Sequence, residues 1–576
     1  MPPATQILDD IDESNVQILD ISNTARCAVI CGLPGLRLRA TYYKSDTDGA
    51  KRDEQYHEEL LFRMASLFKV FIASGIILMI DKLSADQTSK NPYRKLKGVW
   101  DKPFVEVFNK VAAPKYPDLG FLPGNPTVEQ LLVHFNGVDN INHLLVAVDG
   151  TPLLSSHVFF DFISQYTKDT GGQHKEMKER VLYSNANYIL LALLIDAASG
   201  SLQEFLERYI FKPFEMTRTF LRLDKLYSQS ESTQRQSYVV SSDSRRRAFR
   251  PDEVLGLIDI IDIAWLGPYT FAMDLSLFFG GIMSVLDGKT FGLFDKAVAL
   301  SLCHGWAAFN GETGYKRCGL YTDLKTKWSG SHSLNRLPSP KSHPTTHVLD
   351  GRVGDKEENY VFYLSGTATG WGHTVYLIPD KRTFVVVLTN TSGPLDASDL
   401  ISRLCLQEIL DLQPSDNVAR HTEKWRKMTT DQRRRAHYVQ MATMMFNENA
   451  LVVEKLEQSN DQTGDTLTSS CPGMPGKYSS KYGQRIEITD WRGENNDKEG
   501  VLGVTMSAGP NRSQRMRFAK KGDLFRICSC GPSQALAVDC FDAWKTLGFE
   551  VGQDENGLRY LSHEGLHLRD YYRRDP

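Results

Sequence analysis

The chain has 576 residues, of which 41% are hydrophobic and 24% are charged, the balance of an ordinary globular protein. One hydrophobic core rarely organises a chain of this length, so roughly two to four domains are expected. The 67 basic and 70 acidic residues nearly cancel, which predicts neither nucleic-acid binding nor docking on an anionic membrane. Two short basic runs, at 245–247 and 433–435, are interpreted as solvated surface.

The most apolar run, at residues 70–80, is shorter than the roughly 20 residues that cross a bilayer, so it predicts a buried helix. The first residues lack the basic and apolar regions of a signal peptide, and the nine cysteines are scattered. Both observations lead us to expect reduced thiols and a cytoplasmic protein. Cys528 and Cys530 are close in sequence but have no matching His or Cys cluster, so no metal and no cofactor are expected.

In chain order, the polar N-terminal part contains one apolar stretch at 27–36, which is predicted as an edge strand. Residues 65–83 predict one helix that is hydrophobic on nearly all sides and should run through a core. Residues 127–134 begin with a threonine suited to N-capping and predict a short amphipathic helix. Residues 185–199 predict a further apolar helix, and the next residue is a glycine suited to the C-cap.

Polar, Ser-rich or Pro-rich stretches at 222–250 and 329–346 predict loops. Runs with strand character follow at 360–364, 374–378 and 384–388. The last two are joined by a tight turn that begins with proline, so they predict a β-hairpin.

The pattern changes after residue 412. Residues 416–458 predict charged helix without a hydrophobic face wide enough for an independent core. Beyond 471, short predicted strands alternate with Gly and Asp turns, a spacing typical of a small antiparallel barrel or sandwich. These predicted strands are 485–488, 501–506, 524–527 and 557–561.

The first group of residues that suggests chemistry is Ser66-Leu67-Phe68-Lys69, at the start of the long apolar helix. Residues three apart share a helix face, so the hydroxyl and the amine can touch. Burial disfavours a charged amine, and a neutral amine beside a serine hydroxyl can act as a general base. The alternative is a capping serine followed by a lysine whose amine reaches solvent.

The second group is Tyr183-Ser184-Asn185, directly before the next apolar helix. A phenol near a lysine can carry a proton to a leaving group, and an amide beside it can orient the lysine or a substrate carbonyl. Taken alone, the same three residues also fit an ordinary helix-capping segment.

The third group is Leu364-Ser365-Gly366-Thr367, at the end of a predicted strand. A glycine there lets substrate approach the backbone, and the N–H groups of Thr367 and Ser66 together suit an oxyanion hole. His373 follows nearby and is interpreted as a polar residue at a strand start, with a substrate contact as the alternative.

The order and spacing of the three groups resemble the superfamily of serine β-lactamases, penicillin-binding proteins and esterases, near class C β-lactamases and family VIII esterases. The resemblance extends to fungal β-lactamase-like hydrolases and acyltransferases of secondary metabolism. The segments that carry it are FRMASLFKVF, TVEQLLVHFNGV, VLYSNANYILLALLIDAASG and GWGHTVYLIPDKRTFVVVLTN.

The resemblance implies an α/β (α+β) fold: an antiparallel sheet flanked by helices, with a helical subdomain. It also implies a catalytic domain over 1–412, whose helical subdomain covers roughly 85–220. A helical linker over 413–470 and a small antiparallel β-barrel domain over 471–576 would follow.

By resemblance, Ser66 matches the nucleophile, Lys69 its base partner and Tyr183 the proton shuttle. Asn185, Ser365 and Gly366 then match substrate-binding positions, and Thr367, assigned above from its N–H group, is predicted to bind substrate with them. Leu364 is a departure, because the family usually has Lys, His or sometimes Trp there, and Asn136 is another, because Ser is usual. A leucine removes the cation expected to bind a substrate carboxylate such as that of a β-lactam.

The expected function is therefore a serine hydrolase or acyltransferase that acts on an ester, thioester or amide of a lipophilic small molecule. Its acyl substrate would be free or bound to a carrier protein, and no nucleic-acid or membrane partner is expected. Two alternatives stay open: a binding protein that has lost catalysis, supported only by Leu364, and a true β-lactamase or peptidase.

Overall fold

The computed structural model describes most of the chain up to residue 303, and shorter stretches beyond it. The described residues are 4–33, 37–46, 49–53, 60–120, 122, 124–136, 145, 159–160, 163, 183–221, 236–240, 244–249, 259–303, 307–308, 314–316, 321–323, 361–409, 427–462, 476–480, 485–491, 501–507, 513–521, 524–528, 548–553, 559–563 and 568–575. Parts of the predicted loops, at 222–235 and 329–346, lie outside these residues, as do Cys530 and Gly557.

A nine-stranded sheet organises the larger part of the chain, and every strand pair in it is antiparallel. The strands in spatial order are Gly49–Arg52, Arg37–Asp46, Arg26–Leu33, Thr383–Thr389, Trp371–Ile378, Val361–Ala368, Tyr321–Asp323, Gly314–Lys316 and Ala307–Ala308. The predicted antiparallel sheet flanked by helices is thereby confirmed.

The centre of this sheet is the predicted hairpin, formed by Trp371–Ile378 and Thr383–Thr389. Every residue of both strands is buried, and the second is the β-branched and aromatic run TFVVVLT. A strand buried on both faces needs cover on both faces. Helices Ala272–Leu286 and Ala397–Ile409 pack on it and supply that cover.

Helical segments make up most of the remaining described structure. They are Ala4–Ile21, Ala65–Phe68, Lys69–Ile77, Leu78–Lys82, Leu83–Ala85, Pro92–Leu96, Phe104–Ala112, Val128–Leu132, Asn185–Ser199, Leu202–Leu206, Glu207–Phe211, Ile260–Leu266, Ala272–Leu286, Lys296–Cys303, Pro379–Lys381, Ala397–Ile409 and Thr430–Gln462.

The helix predicted over 65–83 is present as a continuous helical run over 65–85, here called the serine segment. Its hydrogen bonding changes along its length: a 3₁₀ turn at Ala65–Phe68, an α-helix at Lys69–Ile77, a π turn and a second 3₁₀ turn. All nine residues of the α-helical part are buried, which confirms that the segment runs through the core.

Two further helix predictions are confirmed. Asn185–Ser199, here called the tyrosine helix, is buried on nearly all sides, and Gly200 caps it in the left-handed conformation (φ 87°). Thr127 and Gln130 form a reciprocal capping box at the start of Val128–Leu132. The latter helix ends two residues before His134, which itself has a left-handed φ of 56°.

Two predictions were wrong, the edge position of the strand at 27–36 and the loop over 222–250. The strand predicted at an edge, Arg26–Leu33, lies between Arg37–Asp46 and the hairpin strand Thr383–Thr389. The polar N-terminal part contains the helix Ala4–Ile21. The stretch 222–250 was predicted as loop, yet it contains the paired strands Ser237–Val240 and Arg246–Phe249. The hairpin strand that pairs with Arg26–Leu33 lies far along the chain, whereas the two strands within 222–250 pair with each other.

The charged helix Thr430–Gln462 packs against Ala4–Ile21 and Ala397–Ile409. Its Tyr438 and Met441 are buried, and so is Arg434, which is only 1% exposed. The guanidinium of Arg434 donates to the Glu408 carboxylate at 2.7 Å, and Arg435 contacts the same carboxylate at 3.1 Å. The prediction of a fully solvated basic run at 433–435 was therefore wrong, because a buried arginine is stable when a carboxylate pairs with it.

The C-terminal strands pair in sequence into a closed antiparallel barrel. They are Gly476–Ser480, Arg485–Trp491, Val501–Ser507, Ser513–Lys521, Leu524–Cys528, Gly548–Gln553, Arg559–His563 and Leu568–Arg574. The boundaries of the predicted domains, at 412 and 470, stay predictions.

Within the described part of the chain, no single helix has the length and apolarity that would let it cross a membrane. One bent pair, Asn185–Ser199 with Leu202–Phe211, meets those criteria only when taken together across an 86° bend.

Candidate active site

The start of the serine segment is a tightly packed turn. Ala65 has a left-handed φ of 48°, and Met64 N–H donates to the carbonyl of Pro268 at 2.9 Å. Gly267 lies so close that a Cβ on it would be 2.7 Å from the Ala65 carbonyl oxygen. Only glycine fits that position, which also has a φ of 75°. The loop before Tyr269 therefore fixes where Ser66 points.

Ser66 and Lys69 lie together as the sequence predicts. Lys69 Nζ donates to Ser66 Oγ at 3.0 Å, and the lysine is 2% exposed. The Tyr183 hydroxyl lies 2.8 Å from the same Oγ atom. Ser66 is half-buried, and its hydroxyl contacts an amine and a phenol, two groups that can accept or return its proton.

Several contacts hold Lys69 and Tyr183 in this arrangement. Lys69 Nζ lies 5.2 Å from the ring centre of Tyr183 and 5.7 Å from that of Tyr188, both within cation–π range. The Tyr183 hydroxyl also donates to Asn185 Oδ1 at 3.4 Å, and Asn185 is buried. The structure therefore brings Ser66, Lys69, Tyr183 and Asn185 into one hydrogen-bonded group.

The third predicted group lies on the strand Val361–Ala368, here called the third-motif strand. A Cβ on Gly366 would lie 2.7 Å from the Met64 carbonyl oxygen and 3.1 Å from Leu67 N. This contact brings the backbone of Gly366 against the turn that carries Ser66. The glycine is required here because protein backbone approaches it closely, whereas the sequence predicted close approach of a substrate.

The residues beside Gly366 differ in exposure. Ser365 and Thr367 are half-buried, whereas Leu364 is 1% exposed and belongs to the hydrophobic core. Leu364 pairs with Val375 of the central hairpin. Alternation along a strand puts Leu364 on the same face as Gly366, which is the face turned to the serine segment.

His373 is a structural residue. It is 1% exposed, its Nε2 donates to the Arg63 carbonyl at 2.6 Å, and its Nδ1 accepts from Thr389 N–H at 3.3 Å. Burial lowers the pKa of His373 to about 4, so the ring is neutral. His373 thus ties the hairpin to the strand Leu61–Arg63 that leads into Ser66, which favours the structural interpretation over a substrate contact.

This burial predicts a pH dependence of stability. The pKa of His373 is 6.5 in the unfolded chain and about 4 in the folded one, so the unfolded state binds more protons between these values. The neutral His373 therefore contributes up to about 3 kcal/mol to the free energy of unfolding. This contribution is fully present above pH 6.5 and is lost as the pH falls to 4.

The measurement is urea unfolding of wild type and His373→Gln between pH 7.5 and 4.5. Gln cannot titrate, so the stability difference between the two proteins should shrink as the pH falls. Other groups with shifted pKa values, such as His437 and Asp396, are present in both proteins and cancel. Two parallel curves would contradict the prediction.

Two residues of the site were not predicted as functional from the sequence. The ring of His134 stacks on the ring of Tyr183, with centroids 4.7 Å apart. The centroid of the Tyr188 ring lies 5.2 Å from that of His134. His134 lies inside TVEQLLVHFNGV, the segment quoted for the family resemblance, which was the available signal. Asn136, the departure from the family's serine, is 4% exposed and donates to the Gln130 carbonyl at 3.4 Å.

The hydroxyl of Ser66 thus contacts a buried lysine and a tyrosine beside the third-motif strand, an arrangement found in serine hydrolases. A sequence profile described as Beta-lactamase matches residues 37–407, and the chain belongs to that family. Among the residues described, no cluster of His, Cys, Asp and Glu suits a metal ion.

Comparisons with individual proteins are more distant. Penicillin-binding protein 4* of Bacillus subtilis (strain 168) is 30% identical over 161 residues, a match that covers 28% of this chain and 30% of that protein. The octameric penicillin-binding protein homologue from Pyrococcus abyssi has 14% identity and a TM-score of 0.48, over 98% of this chain and 99% of that one. A β-lactamase/D-alanine carboxypeptidase from Pseudomonas syringae has 12% identity and a TM-score of 0.46, over 70% and 99%.

Proposed function

We propose that this protein is a serine esterase or acyltransferase that transfers a neutral, lipophilic acyl group through an ester on Ser66. The donor would be an ester, thioester or amide of a small molecule, either free or bound to a carrier protein. The observation that carries the proposal is the pair of contacts at Ser66 Oγ, 3.0 Å to Lys69 Nζ and 2.8 Å to the Tyr183 hydroxyl.

In the proposed acylation, Ser66 Oγ forms a bond to the acyl carbonyl carbon while its proton passes to Lys69 Nζ or Tyr183 Oη. The carbonyl electron pair moves to oxygen, which two backbone N–H groups would stabilise. Ser66 is the second residue of a helical segment, so its N–H has no partner within that segment. Thr367 N–H is the second proposed donor.

The tetrahedral intermediate then breaks the bond between the carbonyl carbon and the leaving group, which takes a proton from Tyr183. Water or an alcohol next attacks the carbonyl carbon of the Ser66 ester and loses its proton to the same pair. The bond between that carbon and Oγ then breaks, Oγ takes the proton back, and the acyl group leaves as acid or new ester. Neither acylation nor deacylation, as proposed, uses a metal or an organic cofactor. Lys69 and Tyr183 would transfer the protons, and the backbone N–H groups would stabilise the charge on the carbonyl oxygen.

The preference for neutral acyl groups is inferred from Leu364. A buried leucine offers only apolar contact at a position where the family usually has a cation or hydrogen-bond donor. A substrate carboxylate brought there would be desolvated without a partner, which costs on the order of 1–3 kcal/mol or more. This preference argues against a true β-lactamase or carboxypeptidase.

The test of the proposal is intact-mass spectrometry after incubation with a panel of acyl thioesters and aryl esters. A mass increase equal to one acyl group, mapped to Ser66, supports it and identifies the accepted acyl group. The alternative of a binding protein without catalysis predicts no adduct with any member of the panel and no reaction with a fluorophosphonate.

A substitution at Leu364 should change substrate preference. We expect Leu364→Lys or Leu364→His to raise the ratio of kcat/KM for nitrocefin to that for a neutral aryl ester, by about tenfold or more for one recovered ion–dipole or ion-pair contact. Leu364→Met, which keeps an apolar side chain of similar volume, is the control and should leave the ratio unchanged. Efficient nitrocefin hydrolysis by the wild type would refute the assigned preference, and so would an unchanged ratio in both charged variants.

A further inference from the structure

The imidazole ring of His134 packs against the ring of Tyr183. It is 1% exposed, and its ring lies nearly parallel to the Tyr183 ring, with an angle of 28° and centroids 4.7 Å apart. The Tyr183 hydroxyl is the group that lies 2.8 Å from Ser66 Oγ. His134 therefore contacts the face of the phenol whose oxygen is part of the proposed proton path.

The hydrogen bonds of His134 fix its tautomer. Its Nδ1 accepts from the backbone N–H of Ser184 at 3.0 Å, and Asn187 Nδ2 lies 3.1 Å from the same atom. A backbone N–H can only donate, so Nδ1 carries a lone pair and the ring proton is on Nε2. Asn187 must then present its amide N–H, since its carbonyl oxygen would repel that lone pair.

Both donors belong to the segment that carries Tyr183. Ser184 is the next residue and the N-cap of the tyrosine helix, and its own side chain makes no capping hydrogen bond. Asn187 lies in the first turn of that helix. Through Nδ1, one imidazole thus holds the cap and the first turn of the helix at a fixed distance from the end of Val128–Leu132.

We propose that His134 is the positioning residue of this site: its neutral Nδ1, by accepting from Ser184 and Asn187, holds the Tyr183 hydroxyl on Ser66 Oγ. The inference rests on the proposed function and deepens it, because it assigns how the proton-transferring phenol is aligned. Misplacing a reacting group by about 1 Å costs on the order of 100-fold in rate.

Three variants of His134 distinguish the effect of the hydrogen-bond acceptor at Nδ1 from that of the stacked ring. His134→Asn keeps an acceptor oxygen near the position of Nδ1 and tolerates the left-handed φ of 56°, but it loses the stacking ring. His134→Phe keeps a ring and loses the acceptor. His134→Gly loses both and suits the backbone conformation, so it serves if the Phe variant does not fold.

The readout is the second-order rate of fluorophosphonate labelling of Ser66, together with kcat and KM for the best aryl ester. We expect the Phe and Gly variants to label about 10–100-fold more slowly with kcat lowered and KM little changed. The Asn variant should stay within about fivefold of wild type. Equal rates for Asn and Gly would overturn the assignment of the acceptor.

A double-mutant cycle tests whether His134 acts through Tyr183. In a Tyr183→Phe background, His134→Gly should add little further loss, because the hydroxyl that His134 positions is absent. A full multiplicative loss would show a merely structural role and overturn the proposal. Labelling that is absent in the wild type would instead refute the proposed function itself, so the two failures are distinguishable.

Discussion

Replacing Ser66 with alanine should abolish covalent labelling by fluorophosphonates and by every acyl donor that modifies the wild type. Ser66 Oγ contacts both Lys69 Nζ and the Tyr183 hydroxyl, so its loss removes the atom to which an acyl group would bond. Loss of the nucleophile in serine hydrolases lowers kcat on the order of 10⁴–10⁶-fold. Intact-mass spectrometry and steady-state turnover of the best aryl ester are the measurements.

The matched control is Ser74→Ala, in the same helical run. Ser74 is fully buried, and its hydroxyl donates to the Val70 carbonyl at 2.7 Å, so the change removes one internal hydrogen bond and leaves the site intact. This variant should label at the wild-type rate. An adduct that persists in Ser66→Ala, for instance on the half-buried Ser365, would show that the nucleophile had been assigned to the wrong residue.

Much of the site could be predicted from sequence because its parts are local patterns. Ser66 and Lys69 are three apart on one helical run and therefore share a face, and Tyr183 and Asn185 are two apart at the start of the tyrosine helix. That the two pairs belong to one site is what the resemblance to the β-lactamase superfamily implied, and Ser66 Oγ lies 3.0 Å from Lys69 Nζ and 2.8 Å from the Tyr183 hydroxyl.

The missed features depend on contacts between distant residues. Arg26–Leu33 is a central strand because Thr383–Thr389 pairs with it, and nothing near residue 30 encodes that partner. Arg434 is buried because Glu408, on a different helix, pairs with its charge. The proposed role of His134 was missed for the same reason. It depends on hydrogen bonds from Ser184 and Asn187, which are about 50 residues further along the chain.

Removing either proton-transferring group should lower the acylation rate while the protein still folds. We expect Lys69→Met, which keeps the buried shape of the side chain, and Tyr183→Phe, which removes only the hydroxyl, each to lose about 10²–10⁴-fold in the rate of Ser66 acylation. The measurement is single-turnover acylation by an activated aryl ester, with the unfolding midpoint recorded for each variant.

The two losses should not add. Lys69 Nζ and the Tyr183 hydroxyl contact the same serine oxygen, so they form one unit, and the double variant should be little slower than the slower single variant.

Tyr188→Phe is the matched control: its ring also lies 5.7 Å from Lys69 Nζ, but its hydroxyl donates to the Leu132 carbonyl at 2.9 Å. It should keep acylation within a few-fold of wild type, because its hydroxyl does not reach Ser66. Wild-type turnover in Lys69→Met or in Tyr183→Phe would remove that residue from the proton path, and a loss in Tyr188→Phe as large as in Tyr183→Phe would show that packing around Lys69 limits the rate.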